Sequence, residues 1–260
     1  MSYIVQEIST SIVKGMYMKT EHPIIWDDVT VSRLWNYYSK TPPYSEIYFS
    51  KVFGDRMLKK LDIPFDKEIS VLDFGCGPGD IWEHMQQLSV AWNYTGLDFS
   101  SDTIEKLRKK ALGTQKFSGA IHADKLPTDL TNNQFDLVLL FEVVEHLTDD
   151  ILDNTLNEIH RILKPGGRVA ITTPNNEDLS KATKFCPDCG AIFHEWQHIR
   201  SWNKSTLQDY MHSRGFTSEF LTPLDFSEHG LRGNFIAKTR RIITGNYALP
   251  HLVAVFKKSK

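Results

Sequence analysis

The chain reads as an α/β protein built on a doubly wound parallel sheet. Three observations predict it. From residue 69 onward, short apolar segments alternate with helical stripes. One segment, Phe135 to Phe141, is almost entirely apolar, as a central strand covered on both faces must be. The first segment runs directly into a glycine-rich turn that opens a helix.

The elements follow in order. Residues 1–44 are rich in aromatics, among them Tyr3, Tyr17, Trp26, Trp35, Tyr37, Tyr38 and Tyr44, and Pro42-Pro43 breaks the chain. Residues 45–61 predict an amphipathic helix with Tyr48, Val52, Phe53, Met57, Leu58 and Leu61 on one face, so residues 1–61 form an N-terminal helical lid. Residues 62–260 form the main domain. Its strands are Ile69 to Phe74, Tyr94 to Phe99, Phe117 to Ala123, Phe135 to Phe141 and Arg168 to Thr173. Between them lie a helix carrying Ile81, Trp82, Met85 and Leu88 and one carrying Ile104, Leu107 and Leu112 behind Ser100 as cap. A third, opened by Thr148, carries Leu152, Leu156, Ile159 and Leu163 and ends at Pro165-Gly166-Gly167. Residues 174–203 break the rhythm and read as an insertion over the C-terminal edge of the sheet. A helix from Ser205 to Arg214 and a last strand from Leu252 to Phe256 complete the chain.

The composition bounds the function. With 260 residues, 41% hydrophobic and 24% charged, the chain is globular and needs no staple. Its formal net charge of -2 excludes bulk electrostatic wrapping of nucleic acid, and the basic cluster Lys238, Arg240, Arg241 is too small to restore it. No apolar run reaches membrane-span length, and the first residues lack a secretory apolar core. The three cysteines, Cys76, Cys186 and Cys189, form no framework, which suggests a reducing compartment, the cytoplasm.

The strongest chemical signal is Val71-Leu-Asp73-Phe-Gly75-Cys76-Gly77-Pro-Gly79. A loop without Cβ atoms lets a ligand approach the backbone, and Cys76 serves there as a small residue packed behind the loop. Asp98, 23 positions after Gly75, ends the next strand where a ribose-binding carboxylate belongs. The third glycine of a dinucleotide motif would fall on Asp80, whose charge would oppose a pyrophosphate, so the loop suits a nucleoside without phosphates.

VLDFGCGPG, then GLDFS, ADKLP, FDLVLLFEVVEHL and LKPGGRVAITTPN, spread over residues 69–175, resemble the class I S-adenosylmethionine-dependent methyltransferases. The resemblance implies a Rossmann-like sheet of seven strands with the last antiparallel, and S-adenosylmethionine as cofactor. It implies that Asp73 and the loop from Gly75 to Gly79 face the methionine part, Asp98 binds both ribose hydroxyls and Phe99 flanks the adenine. Asp124, followed by Lys125, meets the adenine amino group, and Phe141 lines the methyl-donor pocket.

Glu142, Glu145 and His146 share one face if helical, at the end of the central strand. They could form half of a divalent-metal site, or merely cap the next helix. His198 lies in His194-Glu-Trp-Gln197-His198-Ile-Arg-Ser-Trp202. Two methyltransferase groups that the chain resembles, the ubiquinone-biosynthesis O-methyltransferases and the small-RNA 3′-end 2′-O-methyltransferases, pair this tetrad with such a histidine. That implies Mg or Zn held by Glu142, Glu145, His146 and His198. Gln197 and Ser201 stand where the RNA enzymes have acids, which weighs against nucleic acid. Cys186-Pro-Asp-Cys189-Gly190 with His194 and His198 reads either as a structural zinc knuckle, with the two cysteines as its ligands, or as two reduced thiols. The aromatics of residues 26–48, with Trp196 and Trp202, wall a substrate pocket or pack as core.

The expectation is therefore a methyltransferase acting on a small-molecule hydroxyl, with His146 or His194 as general base if no ion assists. The chain would act as a monomer or homodimer. Transfer to nitrogen or carbon, RNA-terminal methylation and a non-catalytic adaptor with a zinc knuckle are the alternatives.

Overall fold

In the computed structural model, which describes residues 20–226 and 249–259, the predicted alternation is realised. The elements are β1 (His22–Pro23), α1 (Asp28–Tyr38), α2 (Phe49–Lys60), β2 (Ser70–Phe74), α3 (Asp80–Gln87), β3 (Asn93–Asp98), α4 (Ser101–Lys110), β4 (Phe117–His122) and β5 (Phe135–Phe141). They continue as α5 (Asp149–Ile162), β6 (Leu163–Pro174), β7 (Thr183–Phe185), β8 (Ala191–His194), α6 (Lys204–His212), β9 (Phe216–Leu224) and β10 (His251–Lys258). Tyr3, Tyr17 and the cluster Lys238, Arg240, Arg241 lie outside the described residues.

The main sheet has seven strands in the order β4-β3-β2-β5-β6-β10-β9. β10 is antiparallel to both neighbours, and β3, β4, β2, β5 and β6 pair in parallel. Side chains alternate across the pleat, so consecutive strand residues feed two cores. Val71, Leu137, Leu139 and Val253 join Met57, Ile81, Trp82 and Leu107 of α2, α3 and α4. Leu72, Val138, Leu140 and Ala254 join Leu152, Leu156, Ile159 and Leu207 of α5 and α6. Full burial of each such aliphatic contributes about 1.5–3 kcal/mol, which explains the apolar run of β5.

Several elements differ from the sequence reading. The helix expected over residues 45–61 starts at Phe49, with Tyr48 as its N-cap and a 3₁₀ turn at Tyr44–Glu46, and Val52 is exposed. Leu112 lies beyond α4 and is exposed, since Ala111 already closes that helix. Pro165-Gly166-Gly167 is no break between elements. Leu163 pairs with Phe135 and Arg168 with Leu137, so the three residues form an irregularity inside β6. β9 had no counterpart in the sequence reading. It lies at the sheet edge, where its mixed burial produces no clean alternation. Residues 174–203 contain a hairpin in which β8 pairs antiparallel with β7 and parallel with β1, so the N-terminal stretch and the insertion share a small sheet.

This topology places the site. Because β2, β3, β5 and β6 are parallel, the residues after them all emerge at one edge: Gly75, Phe99, Glu142 and Glu177.

Candidate functional site

The glycine loop is shaped by backbone demands. Gly75, Gly77 and Gly79 all have positive φ, at 81°, 51° and 88°. A Cβ on Gly75 would meet Val143 at 2.8 Å and one on Gly79 would meet Leu107 at 2.5 Å, whereas at Gly77 nothing stands within 4 Å. Gly75 and Gly79 are thus required by packing, and Gly77 by its φ at an open position where a ligand can reach the backbone. The Gly77 N–H donates to Asp98 Oδ2 at 2.9 Å, and the Ser100 N–H donates to Oδ1 at 2.8 Å. Burial nevertheless pushes the Asp98 carboxyl above its usual range, against the pull of those two N–H groups. Each carboxylate oxygen keeps a second lone pair beside an open cradle, which is suited to paired hydroxyls. The residues fit the nucleoside cofactor that the resemblance implies.

The other residues expected at the cofactor are placed as follows. Asp73 is buried, accepts from the Tyr94 hydroxyl at 2.7 Å and is pushed to about pKa 7, chiefly by burial. Cys76 is buried, with its sulfur 2.9 Å from where a Cβ on Gly96 would stand. Burial pushes its thiol pKa well up, which makes it packing and no nucleophile. Phe99 is 46% exposed at the cradle's rim, 6.2 Å from the Phe74 ring. Asp124 and Lys125 are exposed, with Asp124 Oδ1 3.5 Å from His122 Nδ1. Phe141 is buried at the end of β5.

Directly after Phe141 the chain builds a cluster of carboxylates and imidazoles. Glu142 has φ 53° and Gln197 φ 60°, left-handed conformations that cost non-glycine residues about 1 kcal/mol or more. Ligand atoms of Glu145, His146 and His198 lie within 4.8 Å of one another, and so do those of Glu177, His194 and His198. Glu145 Oε1, Glu142 Oε1 and His194 Nε2 are buried without a hydrogen-bond partner. Burial raises Glu142 to about pKa 7, and burial with the nearby Glu142 charge raises Glu145 well above its usual range. His146 is pushed down to about 3, first by burial and then by the His198 charge.

Of the four metal ligands expected, the structure gathers Glu145, His146 and His198, while Glu142 stays outside that group. The donor chemistry fits a divalent ion. His146 Nδ1 lies 3.5 Å from the Gln197 carbonyl and His198 Nδ1 lies 2.6 Å from Glu177 Oε2, so a neutral ring that donates there keeps its lone pair on Nε2, and His146 Nε2 lies 3.8 Å from the orphaned Glu145 Oε1. The expected knuckle is not assembled with the histidines. Neither Cys186 nor Cys189 belongs to a group of three ligand atoms among the described residues, because β8 carries His194 away from the cysteines. His194 turns its Nδ1 to the backbone N–H groups of Trp196 and His198, at 3.3 and 3.2 Å, so that nitrogen is no free base.

Sequence reasoning missed Glu177, Gln197 and Tyr94. Gln197 is 2% exposed and joins three segments: its Oε1 accepts from Trp35 Nε1 at 2.7 Å and its Nε2 donates to the His146 carbonyl at 3.1 Å. Glu177 carries no motif. Its only sequence signal is its position three residues past the strand that ends at Pro174. Trp35 of α1 stands edge-on to His146 at 5.2 Å and lies 6.2 Å from Tyr48, while Tyr38, Tyr44 and Trp196 pack together beside it. Trp202 belongs to the core.

A family profile described as methyltransferase domain matches residues 48–219. The mitochondrial ubiquinone biosynthesis O-methyltransferase of Candida albicans is 32% identical over 136 residues, 50% of this chain and 40% of that protein. The demethylmenaquinone methyltransferase of Leptospira interrogans is 30% identical over 135 residues, 50% of this chain and 53% of that protein. The chain thus spans about half the length of these curated relatives. The Burkholderia thailandensis 1,6-didemethyltoxoflavin-N1-methyltransferase, solved with 1,6-didemethyltoxoflavin and S-adenosylhomocysteine, superposes with a TM-score of 0.61 at 16% identity, covering 93% of this chain and 94% of that one. At that identity the likeness shows the fold.

Proposed function

Since the chain belongs to the methyltransferase domain family, we propose that it transfers the methyl group of S-adenosylmethionine to a hydroxyl oxygen of a small molecule. One observation carries the choice of acceptor atom: the cluster of Glu145, His146 and His198 stands immediately past Phe141, on the same strand edge as the Gly77 cradle. The cofactor brings its own electrophile, so the protein has to place the acceptor and manage its proton. Burial keeps His146 neutral at pH 7 but makes it a weak proton acceptor, which favours a ligand role over a base role. A divalent ion bound by Glu145, His146 and His198, with Glu142 beside them, would lower the pKa of the acceptor hydroxyl.

The chain's own residues do the rest. Asp98 and the open backbone at Gly77 hold the ribose side of the cofactor. Trp35, edge-on to His146 and flanked by Tyr48, forms an aromatic wall that suits a planar hydroxylated ring. The quinone-directed names of the relatives support that acceptor class. The described N-terminal residues, 20–61, act as a lid through α1. The small odd number of cysteines supports a cytoplasmic site of action. Among the described residues no helix is long and apolar enough to cross a membrane.

Calorimetric titration with S-adenosylmethionine and S-adenosylhomocysteine, followed by labelled-methyl transfer to a catechol or hydroquinone, tests this reading. Micromolar binding of both and transfer suppressed at least about tenfold by a chelator are expected. Asp98→Ala is expected to weaken cofactor binding about 10–100-fold, the usual worth of hydrogen bonds to a charged group. Absence of binding at millimolar cofactor would sink the proposal and favour an adaptor.

A further inference from the structure

We propose that Glu177 is a positioning residue, whose carboxylate holds His198 as the Nδ1–H tautomer and so leaves the Nε2 lone pair to the group formed with Glu145 and His146. Glu177 Oε2 lies 2.6 Å from His198 Nδ1. An ionised carboxylate only accepts, so the hydrogen of a neutral His198 lies on Nδ1 and its lone pair on Nε2. The ring centroid of His198 is 4.9 Å from that of His146, and both residues offer ligand atoms within 4.8 Å of Glu145.

The second imidazole beside Glu177 plays a different part. Glu177, His194 and His198 stand close enough to suggest an ion site of two imidazoles and a carboxylate. Hydrogen bonding excludes it. His194 Nδ1 accepts from the N–H groups of Trp196 and His198, so a neutral His194 carries its hydrogen on Nε2 and has no lone pair to offer there. That Nε2 is buried, has no hydrogen-bond partner and lies 3.6 Å from Glu177 Oε1. His194 therefore turns a polar N–H edge toward Glu177, and its ring stacks on His198 at 4.6 Å. The carboxylate is held between two N–H edges, and its orientation passes to His198. A histidine that donates its second nitrogen to a carboxylate while the first faces an ion is the arrangement that orients metal ligands.

What the lone pair does rests on the proposed function; which nitrogen carries the hydrogen does not. The test uses the full chain in three forms: wild type, Glu177→Ala and Glu177→Asp. Histidine ¹⁵N spectra are recorded without ion or cofactor, and then Mn²⁺ is titrated, an ion that the Cys186 and Cys189 thiols do not favour. S-adenosylhomocysteine affinity checks that the variants are folded. The expected result is an Nδ1–H tautomer for wild-type His198 that becomes mixed in Glu177→Ala. Mn²⁺ affinity is expected to fall about 10–100-fold in Glu177→Ala, with partial recovery in Glu177→Asp and unchanged S-adenosylhomocysteine binding. A wild-type His198 with its hydrogen on Nε2 overturns the proposal, and so does a Glu177→Ala variant with unaltered tautomer and Mn²⁺ affinity. A Glu177-dependent tautomer in a wild-type protein that does not bind Mn²⁺ upholds the positioning and removes the ion from the proposed function.

Discussion

Gly77 and Gly79 carry the same left-handed backbone for different reasons. At Gly77 an added methyl group meets nothing, and at Gly79 it meets Leu107 at 2.5 Å. Gly77→Ala should therefore cost only the strain of positive φ, about 1–2 kcal/mol, while weakening S-adenosylhomocysteine binding at least about tenfold because the methyl enters the cradle. Gly79→Ala should lose more stability, as α4 is pushed away through Leu107. Thermal melts and cofactor titration on both variants check the contrast; equal loss of stability would show that the loop at Gly77 is packed and does not face a ligand. Tyr94 adds a second residue-scale constraint, since its hydroxyl is the bond that keeps the buried Asp73 satisfied.

Among the elements, α5 shows how a surface charge enters the core. Glu158 is 2% exposed and accepts from Arg161 Nε at 2.9 Å, from Arg161 Nη2 at 2.7 Å and from the Thr128 N–H at 3.1 Å. Burial pushes its carboxyl up, but Arg161 and Thr128 outweigh that and hold it below its ordinary 4.5. Because the folded value is depressed, this stabilisation is present above pH 4.5 and is lost as pH falls through the folded value. Glu158→Gln should cost about 1.5–3 kcal/mol at pH 7 and much less near pH 3, measurable by urea unfolding at the two pH values. At this scale the helices α3, α4 and α5 were legible, because each must bury one stripe against a sheet. The edge strand β9 was not, because its two faces are alike in exposure.

For the molecule as a whole, His251 links the last strand to α2. Its ring lies 4.1 Å from that of Phe49, and its buried Nδ1 has no partner. Burial pushes it down from 6.5 to about 4, against the pull of Asp225 and Glu177. The unfolded chain takes up a proton near pH 6.5 and the folded chain only near 4, so stability should fall as pH drops through that window, by roughly 3 kcal/mol. His251→Phe should flatten this dependence; an unchanged slope in denaturant unfolding from pH 7 to pH 4 would assign the acid sensitivity elsewhere.

The fold class, the strand that carries the glycine loop and the acid at the end of the next strand are legible in residue order. Period-two and helical apolar patterns are local properties, and a tight turn needs its glycines wherever the chain goes. Glu142, Glu145 and His146 were legible for the same reason, as neighbours past one strand. Which distant groups meet them depends on how the chain folds back on itself. His198 arrives from an insertion more than 50 residues later, Glu177 follows a different strand, and Trp35 comes from α1. The tertiary structure also decided which groups face the ring nitrogens: Glu177, the Gln197 carbonyl and two backbone N–H groups. Parallel pairing brings the ends of separate strands to one edge, and no spacing in the chain encodes that convergence.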